Sequence, residues 1–228
     1  MSAGMLVAWL LAPIDAARPH EIGEALAWHG RLMAAAWGVL MPLGVIAARY
    51  LKVTPRQDWP RQLDNKLWWR CHLACQYSGG ALMLAGLLIV LSAARTGAFW
   101  THASMGYAAL AFGAVQFLAG WLRGSKGGPT EPELRGDHYD MTPRRVAFER
   151  VHKTVGYLAL ALAAATILTG LWTANAPRWM WLALMAWWIA LFAAALGLQM
   201  RGRHVSSYHA IWGPDPMHPG NRSLGDRR

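Results

Sequence analysis

The chain has 228 residues, of which 55% are hydrophobic and only 15% charged, and it carries 14 tryptophans. A soluble domain usually holds about 25% charged residues. Here the charges gather between long apolar runs, which excludes an ordinary soluble domain and indicates an integral membrane protein. The formal charge of +10 does not point to nucleic acid, because the basic residues form no groove or recognised motif.

The N-terminal "MSAGMLVAWLLAPIDAA" has an apolar core without a basic leader. It is shorter than the roughly 20 residues that span a bilayer, so residues 1–24 are expected as a stub lying outside or at the interface. The first long run, Ala25–Tyr50, holds His29 in "AWHGRLM" and Pro42, which removes one backbone donor and predicts a bend. The second run, Arg70–Ala94, opens with "RCHLACQ", placing His72 between Cys71 and Cys75. Helical positions four apart have Cβ atoms about 5–6 Å apart, against about 3.8 Å in a disulfide, so these cysteines read as packing residues. "CHLAC" is also not the C-x-x-C-H of covalent haem attachment.

The third run, Thr101–Arg123, carries His102 in "THASMGY", and the fourth, Val151–Ala174, carries His152 in "RVHKTVGY". Between them lies a polar Gly- and Pro-rich connector, 124–149, expected to be irregular. The fifth run is Trp179–Met200, and residues 201–228 form a tail in which Trp212 and the prolines are expected to fold against the cytoplasmic end. His204, His209 and His218 have no recognised metal-site spacing, and His20 and His138 read as surface residues. The Leu-, Ala-, Met- and Gly-rich runs suit helices; a barrel would need short alternating strands.

Eighteen of the 22 Lys and Arg fall in the loop after the first run, the loop after the third, or the tail. Only Arg18, Arg31, Arg95 and Arg178 lie on the other side. The positive-inside rule then puts the N-terminus outside and the C-terminus in the cytoplasm. Trp28, Trp100, Trp172 and Trp179 sit at the outer borders as an aromatic belt. The remaining basic excess suits anionic lipid.

Ionisable side chains within membrane spans are rare and usually functional, and here four successive spans each carry one histidine near the predicted N-terminal end. Alternating topology pairs His29 with His102 in the outer half and His72 with His152 in the inner half. Two imidazoles facing each other across a bundle can hold one iron, so the pairs predict two haems, one near each membrane face, with irons roughly 15–20 Å apart. At about 100° per residue, the His102 face continues through Gly106, Gly113, Gln116 and Gly120. The His152 face carries Gly156 and Gly170, the His72 face Gln76, Gly79 and Gly86, and the His29 face Met33, Ala36, Leu40 and Ala47. Small residues on these faces leave room for a porphyrin; the competing reading is close helix packing. Ligation by two histidines leaves iron no open position, which suits electron transfer rather than oxygen activation.

The segments "HGRLMAAAWGVLMPLGVIAARY", "CHLACQYSGGALMLAGLLIVL", "HASMGYAALAFGAVQFLAGWLR" and "ERVHKTVGYLALALAAATILTGLW" resemble the cytochrome b561 domain, in the form also found attached to extracellular haem- or catechol-type modules. The resemblance covers the first four spans. It implies the same diagonal pairing, two b-type haems and transmembrane electron transfer, often within a homodimer. The expected fold is thus an all-α integral membrane protein, a four-helix haem-binding transmembrane bundle plus a fifth helix, over residues 25–200. The best-known eukaryotic members have six spans, with ascorbate as cytoplasmic donor and a monodehydroascorbate or ferric acceptor outside. This chain shows five spans, and its composition points to a bacterial inner membrane. A quinol, ascorbate or a redox protein is the expected donor, and ferric iron or another protein the acceptor, in an electron-transfer oxidoreductase.

On the inner side Arg49, Lys52, Arg70, Arg150 and Lys153 are placed to meet haem propionates or a small anionic donor; the alternative is that they anchor helix ends in the headgroups. Arg70 and Arg150 are the preferred cofactor-binding pair. A second function class is a transition-metal ion transporter using the same four histidines. That reading calls for acidic residues or a Met cluster inside the spans, and spans two to four have neither.

Overall fold

The computed structural model describes residues 2–93 and 100–225, with side chains through 222. The expected end of the second span at Ala94, together with Arg95, Arg227 and Arg228, lies outside the described residues. By contacts the chain forms two compact units. The first comprises Met1–Pro42, Cys75–Leu110 and Leu160–Leu196; the second comprises Leu43–Ala74, Ala111–Ala159 and Gly197–Arg228.

Five helices are long and apolar enough to cross a membrane: Glu24–Tyr50, Leu67–Ser92, Trp100–Trp121, Pro143–Thr173 and Arg178–Met200. In chain order the elements are α1 (Ala3–Leu11), α2 (Glu24–Met33), a π-helical segment (Ala34–Leu40), α3 (Met41–Tyr50), α4 (Leu67–Ser92), α5 (Trp100–Trp121), α6 (Asp137–Asp140), α7 (Pro143–Thr173), α8 (Arg178–Met200), α9 (Ser207–Trp212) and α10 (Pro219–Gly225). Among the described residues there is no strand, only an isolated bridge between Pro13 and Pro177. The protein is all-α, and Cys71 and Cys75 form no disulfide.

Two spans begin earlier than hydropathy alone suggests, for local reasons. α7 starts at Pro143 because Thr142 caps it: its Oγ1 accepts from Arg145 N at 3.4 Å and its carbonyl accepts from Val146 N at 3.0 Å. Proline suits the first helical position, where its missing N–H costs nothing. α4 starts at Leu67, whose N–H donates to Asn65 Oδ1 at 2.9 Å. His72 and His152 therefore stand one and two turns or more into their helices.

In the first unit, the helix changes type just before Pro42. This proline can give no N–H to the carbonyl four residues back, Gly38, and the preceding turns open into the π-helical segment. The Gly38 carbonyl instead accepts from two indoles of α8, Trp187 Nε1 at 3.0 Å and Trp188 Nε1 at 3.2 Å. The N-terminal stub is tied down by Asn175, which is 1% exposed. Its Oδ1 accepts from Asp15 N, and its Nδ2 donates to the carbonyls of Asp15, Arg18 and Pro19.

In the second unit, the tail interlocks with both basic loops. Lys52 Nζ donates to Val205 O, Trp59 Nε1 to His209 O, and Asp64 N to Ala210 O. Asp64 accepts from Lys126 and Thr130 and pairs with Lys66 at 2.9 Å. Burial alone would raise its pKa, but these donors outweigh it and hold the carboxyl below the usual range. His138 corrects the surface reading. It is buried, set edge-on against Tyr208 and Trp212, and its Nε2 accepts from Arg145 Nη2 at 3.0 Å. The connector between the third and fourth spans is irregular through 136, as expected, and then contributes the short α6, whose His138 belongs to a buried aromatic and polar platform.

Candidate metal-ligand pairs

The four histidines converge as two pairs. In the first unit the ring centres of His29 and His102 are 6.2 Å apart, with their planes at 89°. In the second unit the centres of His72 and His152 are 6.3 Å apart, with their planes at 75°. A metal between two imidazole nitrogens at roughly 2.0–2.1 Å, each nitrogen about 1.1–1.2 Å from its ring centre, separates the centres by about 6.2–6.5 Å. Both pairs fit that span.

Backbone carbonyls hold three of the rings. His29 Nδ1 meets Gly86 O at 2.9 Å, His72 Nδ1 meets Gly44 O at 3.0 Å, and His102 Nδ1 meets Thr166 O at 3.1 Å. A carbonyl can only accept, so Nδ1 must carry the proton, which leaves the Nε2 lone pair for a metal. His152 is held differently. The Gln116 side-chain amide, turned with its nitrogen toward the helix, donates to His152 Nδ1 and O, both at 2.9 Å, and its oxygen accepts from Gly156 N at 3.1 Å. Turned the other way, the same amide presents an oxygen to Nδ1–H. The periodicity that puts Gln116 on the His102 face of α5 could not show that it reaches His152.

Aromatic rings back the second pair. Trp69 stacks on His72, centres 6.0 Å apart and planes at 28°; Phe148 stacks on His152 at 5.1 Å and 26°. Neither ring stood out in the sequence, although each lies one helical turn before its histidine.

The glycines of the four faces meet different neighbours. A Cβ on Gly79 would come within 3.2 Å of Met41 Cγ, and one on Gly86 within 3.4 Å of Leu32 Cβ, so both admit a neighbouring helix. A Cβ on Gly156 would come within 3.1 Å of the Gln116 side-chain amide. On Gly170 it would come within 2.8 Å of His102 Cε1, and on Gly106 it would meet only Thr166 Cγ2 at 3.7 Å. Gly113 is buried in α5.

Of the five basic residues expected near haem propionates, Arg49 donates to Gln199, Lys52 to Val205 O and Lys153 to Glu149. Burial, then Lys153 and Arg49, lower the Lys52 pKa to about 8, against the opposing pull of Glu149. Arg70 and Arg150 are exposed, and neither forms an ion pair among the described residues. No group of three or more His, Cys, Asp or Glu side chains gathers as a metal site among the described residues. Each cluster therefore offers two imidazoles, the number an iron with four porphyrin nitrogens still needs.

Similar proteins come from Arabidopsis thaliana. A cytochrome b561, DM13 and DOMON domain-containing protein is 29% identical over 153 residues, 67% of this chain and 15% of the relative. A cytochrome b561 and DOMON domain-containing protein is 30% identical over 146 residues, 63% of this chain and 31% of the relative. Another with that description is 26% identical over 177 residues, 76% of this chain and 41% of the relative. The chain thus spans well under half the length of each. No family model and no solved structure matches it.

Proposed function

Since the chain belongs to the cytochrome b561 family, we propose that it carries electrons across a membrane through two b-type haems. His29 and His102 hold one and His72 and His152 the other. The observation that carries this reading is the repeated spacing of 6.2 and 6.3 Å between paired imidazoles. Haem held by these histidine pairs would supply one-electron exchange at its iron rather than oxygen activation.

The chain's own residues do the rest. The carbonyls of Gly86, Gly44 and Thr166 lock the ring orientation and tautomer of three ligands, so little reorganisation accompanies binding. Gly79, Gly106, Gly113 and Gly156 keep the ligand-bearing helix faces thin. Arg70 and Arg150 have guanidiniums to offer the propionates of the inner haem. The excess of Lys and Arg in the two basic loops and the tail supports an N-terminus outside and a C-terminus in the cytoplasm. The donor and acceptor are a quinol, ascorbate, ferric iron or a redox protein, and two copies of the chain form a homodimer.

A redox difference spectrum of the purified protein tests the reading. It should show b-type bands with about two haems per chain. His102→Ala should remove one haem and His72→Ala the other, each leaving its partner's spectrum intact. Absence of haem, or losses that do not divide into these pairs, would sink the proposal. Stoichiometric uptake of a transition-metal ion without haem would favour the transporter instead.

A further inference from the structure

The second-unit histidines are each the end of a three-member column. Behind His72 stands Trp69, and the Arg123 guanidinium lies 4.3 Å from the Trp69 ring centre. Behind His152 stands Phe148, and the Arg145 guanidinium lies 4.8 Å from the Phe148 ring centre. The two columns come from different helices and different spacings, Trp69 three residues before its histidine and Phe148 four. They nevertheless have the same order: imidazole, aromatic ring, arginine.

We propose that these arginine-capped columns fix the ring planes of His72 and His152 and raise the reduction potential of the inner haem. The inference rests on the haem reading above. Stacking holds each aromatic ring beside its imidazole, and the cation over that ring is attracted to the ring quadrupole, which holds the ring in place. Rotation of either imidazole would have to displace a ring pinned from behind. The guanidiniums also place positive charge within a few ring widths of the iron. A nearby cation stabilises the site after it gains an electron, and the low dielectric of a membrane interior strengthens that effect.

The neighbouring charges do not cancel this. Arg145 Nη2 donates to Glu149 Oε1 at 2.9 Å as well as to His138, and Lys153 Nζ meets Glu149 Oε2 at 3.1 Å. Two cations share one carboxylate there, so the His152 side keeps one positive charge in excess. Arg123 and Arg145 are thus positioning residues, acting on the iron through its ligands.

The test is a spectroscopic redox titration of the full chain with both haems loaded. The transition that disappears in His72→Ala is assigned to the inner haem. Arg123→Gln should move that transition to lower potential at unchanged haem content, leaving the other transition in place. Arg123→Lys, which keeps the charge, should restore most of the shift. Trp69→Leu should alter the low-spin ferric resonance of the inner haem, which reports the angle between ligand planes, without removing the haem. An unchanged inner potential in Arg123→Gln, or an equal shift of both transitions, overturns the inference. Wild-type protein without haem would instead overturn the functional reading on which it rests.

Discussion

Gly170 decides whether His102 can hold its position. An added methyl would stand 2.8 Å from His102 Cε1 and 3.2 Å from Nδ1, where no real Cβ sits. The imidazole would have to swing away from Thr166 O, its anchor at 3.1 Å. Alanine is otherwise preferred to glycine in a helix interior by about 1 kcal/mol, so a weaker α7 would not explain a defect. Gly170→Ala should therefore lose the haem of the His29 pair, halving the haem-to-protein ratio while helical content stays constant. Gly120→Ala, where a Cβ meets nothing within 4 Å, should keep both haems. Retention of two haems in Gly170→Ala would refute the steric argument. The sequence displays all four histidines, because an ionisable group in an apolar run is conspicuous. It could not display what each glycine admits. A period of 3.6 identifies a helix face, and only the neighbour across that face tells Gly170, which clears an imidazole, from Gly79, which clears Met41.

At the scale of elements, the junction of α3 with the π-helical segment shows how a single proline recruits a distant helix. Pro42 offers no N–H, and the Gly38 carbonyl takes two indole donors from adjacent positions of α8. Inside a membrane a carbonyl without a donor costs more than in water, since no solvent can replace the bond. Trp187→Phe or Trp188→Phe alone leaves one indole in place and should cost little. The double substitution should cost about 1–3 kcal/mol beyond the sum of the singles, read as the denaturation midpoint in detergent. Additive effects would mean that the two indoles act independently of the shared carbonyl. That Pro42 would leave a carbonyl without its donor could be read from the chain; the π-helical register and its two tryptophans could not. Likewise "TPRR" contains a legible cap, yet the apolar pattern begins only at Val151. The first two turns of α7 mix four charged residues with Val146, Ala147 and Phe148, which dilutes the apolar pattern there, and the Thr142 cap starts them.

At the largest scale the tail closes over both basic loops of the second unit, and that closure depends on titratable groups. His138 is the most perturbed of them. Burial first, then the charges of Arg145, Arg123, Lys126 and His218, lower its pKa from 6.5 to about 2. In the folded platform it stays neutral and accepts from Arg145, whereas in an opened tail it would protonate near its ordinary value. A depressed folded pKa means that the unfolded state binds the extra proton. The contribution of His138 is therefore complete above pH 6.5 and is lost progressively as the pH falls toward about 2. Asp64 acts in the same direction lower down, since its depressed carboxyl loses its support only once it protonates. Lys52, lowered to about 8, makes docking firmer as the pH rises from there toward 10.5.

Hydrogen exchange of 203–222 should therefore show strong protection at pH 7 and weaker protection at pH 5. At pH 5, about 1.5 units below its ordinary value, one group that stays neutral only while buried weakens closure by roughly 2 kcal/mol, about 30-fold in the opening equilibrium. His138→Gln keeps an acceptor for Arg145 but has nothing to protonate, so it should flatten this pH dependence once exchange is corrected for its intrinsic rate. If the variant keeps the wild-type slope, His138 is not the group that loosens the tail.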